Sequence, residues 1–103
     1  MSDNRRHPRI SWIVEATLRS CTEDVNWNVR LTDISVGGCF VDTVVPLEAG
    51  SRVALKLTDN SGVMELPGKI LYGQPYIGSA IAFEELDEQL RQRLESAIAG
   101  VGG

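Results

Sequence analysis

The sequence has few of the residues that build catalytic or metal sites. Its 103 residues include one histidine, His7, and two cysteines, Cys21 and Cys39. One imidazole cannot form a multi-histidine metal site, and the two cysteines form neither a CxxC pair nor a disulfide framework. No nucleophile with an acid–base partner is evident either. The sequence therefore favours a binding protein over an enzyme, with no catalytic residues, no metal site and no cofactor.

Long apolar runs and a basic charge balance are also missing. No stretch approaches the roughly 20 apolar residues of a membrane helix, and the polar first nine residues do not resemble a secretory signal. The formal net charge is −4, whereas general DNA-binding and RNA-binding proteins are usually basic. We therefore expect a cytoplasmic protein that neither inserts into membranes nor binds nucleic-acid polymers.

Apolar residues alternate with polar residues along most of the chain, which predicts β-strands. The alternation is clearest from Ile10 to Leu18, and Asp59 to Gly62 has the composition of a hairpin turn. Glycine or proline interrupts the longer segments. Six short strands at this spacing predict an antiparallel barrel or sandwich over residues 10–83. The strand-like segments are 10–18, 27–31, 39–43, 53–57, 63–73 and 76–83.

The period changes to four near the end of the chain, which predicts one amphipathic helix over residues 87–99. Asp87 can cap its start and Gly100 can end it. Its apolar side should lie on the barrel. With residues 1–9 as an N-terminal arm that we expect to be flexible, as chain termini usually are, residues 1–103 form a single domain. The apolar positions of the helix are Leu86, Leu90, Leu94 and Ile98.

The segment RRHPR concentrates positive charge on this acidic chain. It contains Arg5, Arg6 and Arg9. Such a cluster can be a solvated tail, a general polyanion patch, or one half of an anion site that other residues complete.

The stretch DISVGGCF, residues 33–40, offers such a second half. In a strand Asp33 and Ser35 share one face while Ile34 faces the core, and Gly37 and Gly38 permit a tight turn and close approach of a ligand or of another segment. By itself the stretch also fits a strand end whose polar side chains satisfy backbone groups. Together with the arginines, however, its carboxylate and hydroxyl are suited to a guanine nucleotide.

These two stretches resemble the binding signature of PilZ domains, which are bacterial receptors for cyclic di-GMP. The matching patterns are Arg5-x-x-x-Arg9 and Asp33-x-Ser35-x-x-Gly38. GKILYG and AIAFEELDEQLRQRL resemble a later strand and the last strand and helix of the family, so the likeness covers nearly the whole chain. The resemblance implies an all-β fold, a six-stranded antiparallel PilZ-type β-barrel with a C-terminal α-helix.

The resemblance also implies roles for single residues. Arg5 and Arg9 would bind guanine Hoogsteen edges and phosphates, and Asp33 would bind a polar guanine edge. Ser35 would assist at a phosphate and Gly38 would provide clearance. Arg6 and Gly37 complete the predicted ligand-binding set. The chain departs from the common pattern at two positions, Asn4 and Ala80, which bear on ligand stoichiometry and on packing respectively.

The function implied is that of a stand-alone receptor that binds cyclic di-GMP and relays the signal to an unidentified protein effector when its N-terminal arm becomes ordered. Motility or biofilm regulation would be typical outputs. We expect a monomer or weak homodimer. The alternative is a PilZ-like adaptor that acts by protein–protein interaction without nucleotide.

Overall fold

Six β-strands and one α-helix make up the fold. The computed structural model describes residues 10–43, 47–59 and 62–102, so the predicted arm lies outside the described residues. The strands are β1 (Ile10–Ser20), β2 (Asn26–Ile34), β3 (Gly38–Asp42), β4 (Arg52–Asp59), β5 (Gly62–Gln74) and β6 (Gly78–Phe83), and the helix is α1 (Glu88–Gly102).

The strands form a closed barrel in the order β1-β2-β3-β6-β5-β4. Every neighbouring pair is antiparallel, and β4 returns to pair with β1. The prediction of a six-stranded antiparallel barrel with a C-terminal helix is thus confirmed, and the sandwich alternative is wrong. The pairing of β3 with β6 brings the last strand beside the DISVGG turn.

The apolar side chains on the inner face of each strand fill the barrel interior. In β4, Val53, Leu55 and Leu57 are buried while Lys56 and Thr58 are exposed. Burial of each such leucine stabilises the fold by about 1.5–3 kcal/mol relative to an exposed side chain. The residues of β4 that the alternation predicted to face inward are therefore residues of the core.

The C-terminal helix packs against β1 and adds a side chain to this core. Leu94 is completely buried, and Asp87 caps the helix by accepting a hydrogen bond from the Leu90 amide at 2.7 Å. The predicted cap is confirmed. The predicted end is wrong, because Gly100 lies inside the helix, which continues to Gly102 without a left-handed residue at position 100. A glycine inside a helix costs only about 1 kcal/mol relative to alanine, which does not stop this one.

All six strands differ from their predicted segments by up to three residues at an end, and β5 lacks the interruption that its proline predicted. β5 runs unbroken through Pro67, which pairs with Ala54 and whose carbonyl accepts a hydrogen bond from the Glu84 amide at 2.9 Å. β6 begins at Gly78, because Tyr76 has a φ of 65° and lies in the preceding turn. The predicted hairpin turn is confirmed by the pairing of Asp59 with Gly62, although residues 60 and 61 lie outside the described ranges.

Candidate functional site

The DISVGG stretch forms the tight turn between β2 and β3. The Ser35 amide donates to the Gly38 carbonyl at 2.8 Å. The Ser35 hydroxyl accepts a bond from the Gly37 amide at 3.1 Å and donates to the Gly38 carbonyl at 3.4 Å. Ser35 is buried and Gly37 is exposed. The serine therefore shapes the turn from within, while the backbone around Gly37 faces solvent.

A β-bulge in β2 determines the direction of Asp33. Leu31 and Ile34 are both completely buried although three positions separate them, because Thr32 is the extra residue opposite β3. The Thr32 hydroxyl donates to the Phe40 carbonyl at 3.3 Å across this irregularity. Without the bulge, strict alternation after Leu31 would direct Asp33 into the core. With it, Asp33 is only half-buried.

Strand pairing brings the start of β1 beside this turn. Ile10 pairs with Ile34, and Ser11 pairs with Asp33. The described part of the chain thus joins Asp33, Ser35, Gly37 and Gly38 at one end of the β2–β3 hairpin, opposite the first residues of β1. The predicted arginines Arg5, Arg6 and Arg9 precede β1 and lie outside the described residues.

Gly38 is required by the neighbouring strand. A β carbon at Gly38 would collide with the carbonyl oxygen of Ile81 in β6. On the other side of the turn, the Phe83 amide donates to the Gly37 carbonyl at 2.9 Å. The sequence predicted close approach of a ligand or of another segment at Gly38, and the structure shows another segment, the backbone of β6, in that place.

Two residues that shape the site were not among the residues predicted from the sequence. Thr32 forms the bulge and Phe83 anchors the turn. The spacing of three between Leu31 and Ile34, in a strand that otherwise alternates, was a usable signal for the bulge. No local signal indicates Phe83, because its contact with Gly37 depends on the order of strands in the barrel.

Cys21 is exposed and Cys39 is buried, and no disulfide joins them. Ala80 is buried between its partners Phe40 and Tyr72. Within residues 10–43, 47–59 and 62–102, no group of three or more histidine, cysteine or acidic residues could hold a metal ion. Over the same residues, no helix has the length and hydrophobicity needed to cross a bilayer.

The fold is a small antiparallel barrel, closed by six strands and bearing one helix. The PilZ domain family model matches residues 3–100, so the chain belongs to the PilZ domain family. The predicted resemblance is confirmed. No curated protein matches the sequence significantly.

Solved structures support the same fold. The PilZ domain of CeSA from a cellulose-synthesising bacterium superposes with a TM-score of 0.79 at 17% identity, covering 93% of this chain and 99% of that one. The PilZ domain of YcgR from Escherichia coli, solved with c-di-GMP, gives a TM-score of 0.76 at 18% identity over 96% and 95% of the two chains. The MrkH–c-di-GMP complex of K. pneumonia gives 0.77 at 16% identity over 97% of this chain and 53% of MrkH.

Proposed function

We propose that this chain binds cyclic di-GMP between residues 5–9 and the turn from Asp33 to Gly38, and passes the signal to a protein effector. Family membership supports the proposal, and two of the structural neighbours, the YcgR domain and MrkH, were solved with c-di-GMP. At 16–18% identity these neighbours argue for the fold, so the argument for the ligand rests on the chain's own residues.

The pairing of Ile10 with Ile34 is the observation that carries the proposal. Residue 9 is bonded to Ile10, and consecutive α carbons are about 3.8 Å apart. Paired α carbons in an antiparallel ladder are about 4.5–5.5 Å apart. The described part of β1 therefore begins directly beside the turn from Asp33 to Gly38, and in our proposal the arginines that precede Ile10 complete the site there.

The residue chemistry fits a guanine dinucleotide. Arg5 and Arg9 supply bidentate donors for the O6 and N7 acceptors of guanine and for phosphate oxygens. Asp33, directed away from the core by the bulge, supplies an acceptor for guanine N–H groups. Arg6 adds positive charge near the phosphates.

The turn contributes less directly to ligand binding. The Ser35 hydroxyl is engaged with Gly38 at 3.4 Å, a long and weak hydrogen bond that a phosphate oxygen can displace. Gly37, exposed at the tip, leaves room for the ligand to approach the backbone.

Ordering of the N-terminal arm on the ligand is the proposed switch. A short charged segment that folds onto the barrel when it binds phosphate changes the surface that a partner contacts, without rearrangement of the core. The proposed setting is the cytoplasm, with the protein a monomer or weak homodimer.

Calorimetric titration of cyclic di-GMP into the full chain tests the proposal and returns the stoichiometry. We expect saturable binding that Asp33→Ala weakens by at least about tenfold, as for loss of a charged hydrogen bond. Glu95→Gln, which removes an exposed charge on α1, is the matched control and should bind normally. A folded wild-type chain that shows no binding would instead favour the nucleotide-independent adaptor.

A further inference from the structure

An open groove lies on the outer surface of β1, β2 and β3, beside the tip of the β5–β6 hairpin. Its volume is about 460 Å³, and Glu15, Arg30, Asp42 and Tyr76 are among its lining residues. Glu15 pairs with Arg30 and Arg30 pairs with Asp42 across the three strands. The groove therefore has a floor of charged side chains and one aromatic wall.

The floor carries net negative charge. The Arg30 guanidinium donates to Asp42 at 2.8 Å. The Glu15 carboxylate has no hydrogen-bond or ion-pair partner among the residues that the structure describes. Two carboxylates and one guanidinium leave a net charge of −1, so the groove disfavours nucleotides, phosphate and anionic lipid headgroups and attracts a cation.

The wall and its surroundings are apolar and exposed. Tyr76 is 85% exposed and Ile77 is 55% exposed at the hairpin tip. Leu71 and Tyr72, on the same hairpin, are each about half exposed. No charged residue occurs from Ile70 to Phe83. Exposed aromatic and aliphatic side chains that lack interspersed charges are typical of surfaces that a protein partner covers.

We propose that this groove binds a basic segment of a protein partner, with an arginine or lysine side chain held between the Tyr76 ring and the carboxylates of Glu15 and Asp42. The ring face attracts the cation, the carboxylates neutralise it, and apolar neighbours in the segment cover Ile77. The groove lies on the same strands as Asp33, only a few residues along β1 and β2. That the partner is the effector of cyclic di-GMP signalling rests on the proposed function. The binding of a basic segment to the groove does not depend on it.

A synthetic peptide in which arginine alternates with leucine is the probe. Its binding to the ¹⁵N-labelled full chain is followed by amide chemical shifts, and the affinity is measured by fluorescence polarisation. We expect shifts at Glu15, Arg30, Asp42 and Tyr76. The same peptide with citrulline in place of arginine, which keeps the shape and removes the charge, should bind at least about fivefold more weakly.

Matched variants separate this groove from general charge attraction. Glu15→Gln combined with Asp42→Asn, and separately Tyr76→Ser, should each weaken peptide binding several-fold. Glu95→Gln on α1 and Val63→Ser, which removes an exposed apolar side chain at the opposite end of β5, should leave it unchanged, with thermal unfolding confirming that each variant is folded. Equal weakening by the control variants, equal binding of the citrulline peptide, or shifts confined to another surface would overturn the proposal.

One further outcome would assign the groove to another occupant. Tighter peptide binding in the Arg5→Ala, Arg6→Ala double variant would mean that the chain's own basic segment competes for the groove, and would overturn the partner assignment. Because the peptide experiment contains no nucleotide, its failure leaves the calorimetric test of cyclic di-GMP binding unaffected, and the two proposals fail separately.

Discussion

Gly38 of β3 lies against Ile81 of β6 so closely that a β carbon at position 38 would overlap the Ile81 carbonyl oxygen. The two residues belong to paired strands that are distant in sequence, and the contact is between backbones. Neither side can yield by rotating a side chain. Gly38 is thus a structural requirement of the barrel, whatever its part in ligand binding.

Gly38→Ala should therefore lower the free energy of unfolding by about 1–3 kcal/mol, the usual cost of forcing extra atoms into a packed region. Urea denaturation measures the change. Gly100→Ala is the matched control: a β carbon there meets nothing within 4 Å, and alanine inside a helix should raise stability by about 0.5–1 kcal/mol. Equal stability of Gly38→Ala and wild type would contradict the steric assignment.

The arginines are expected to differ in their effects on affinity. Arg5→Ala and Arg9→Ala should each weaken cyclic di-GMP binding by at least about tenfold, since each removes a charge-assisted contact worth about 1.5–3 kcal/mol. Arg6→Ala should cost less than either. Calorimetry on the three variants checks the order, and a loss for Arg6→Ala as large as for its neighbours would show that the register of the signature is different.

Selectivity between cyclic dinucleotides reports on base recognition. Adenine presents an amino donor where guanine presents O6, so arginine readout discriminates against it. Cyclic di-AMP should bind at least ~30-fold more weakly than cyclic di-GMP, on the basis of about 1–3 kcal/mol for each bidentate base contact. Similar affinities in the same titration would mean that the protein reads phosphate charge alone.

Amide hydrogen exchange tests the proposed switch. Cyclic di-GMP should slow exchange around residues 5–11 and 33–39, because the ligand joins those two segments. Exchange near Leu55 and Leu57, which are buried in β4, should change little. Slower exchange in α1 alone would show that the N-terminal arm is not the switch.

Local sequence patterns were sufficient to identify the strands and the helix of this fold. Alternation at Val53, Leu55 and Leu57 identified a strand with one buried face, and Asp87 marked the helix start by its capping chemistry. The helix end was missed, because Gly100 tolerates helical backbone as well as a left-handed cap and its neighbours do not decide between them.

Features that depend on the order of strands in the barrel could not be predicted from local sequence patterns. The role of Gly38 as clearance for Ile81 follows from the pairing of β3 with β6, which alternation cannot reveal. The sequence identified Asp33 and Ser35 as candidates, and the spacing of three between Leu31 and Ile34 was a local signal for the bulge at Thr32, but only the paired strands show how the bulge directs Asp33 outward. The groove beside Tyr76 was missed for the same reason, since its residues come from separate hairpins.

The hydrogen bond from the Phe83 amide to the Gly37 carbonyl gives the molecule a mechanical connection along its rim. Phe83 is the last residue of β6, and the backbone runs from it through a short connector to Asp87, the cap of α1. One hydrogen bond and a short piece of backbone therefore link the turn to the cap of α1, so we expect a movement of the turn to be felt first at the start of the helix.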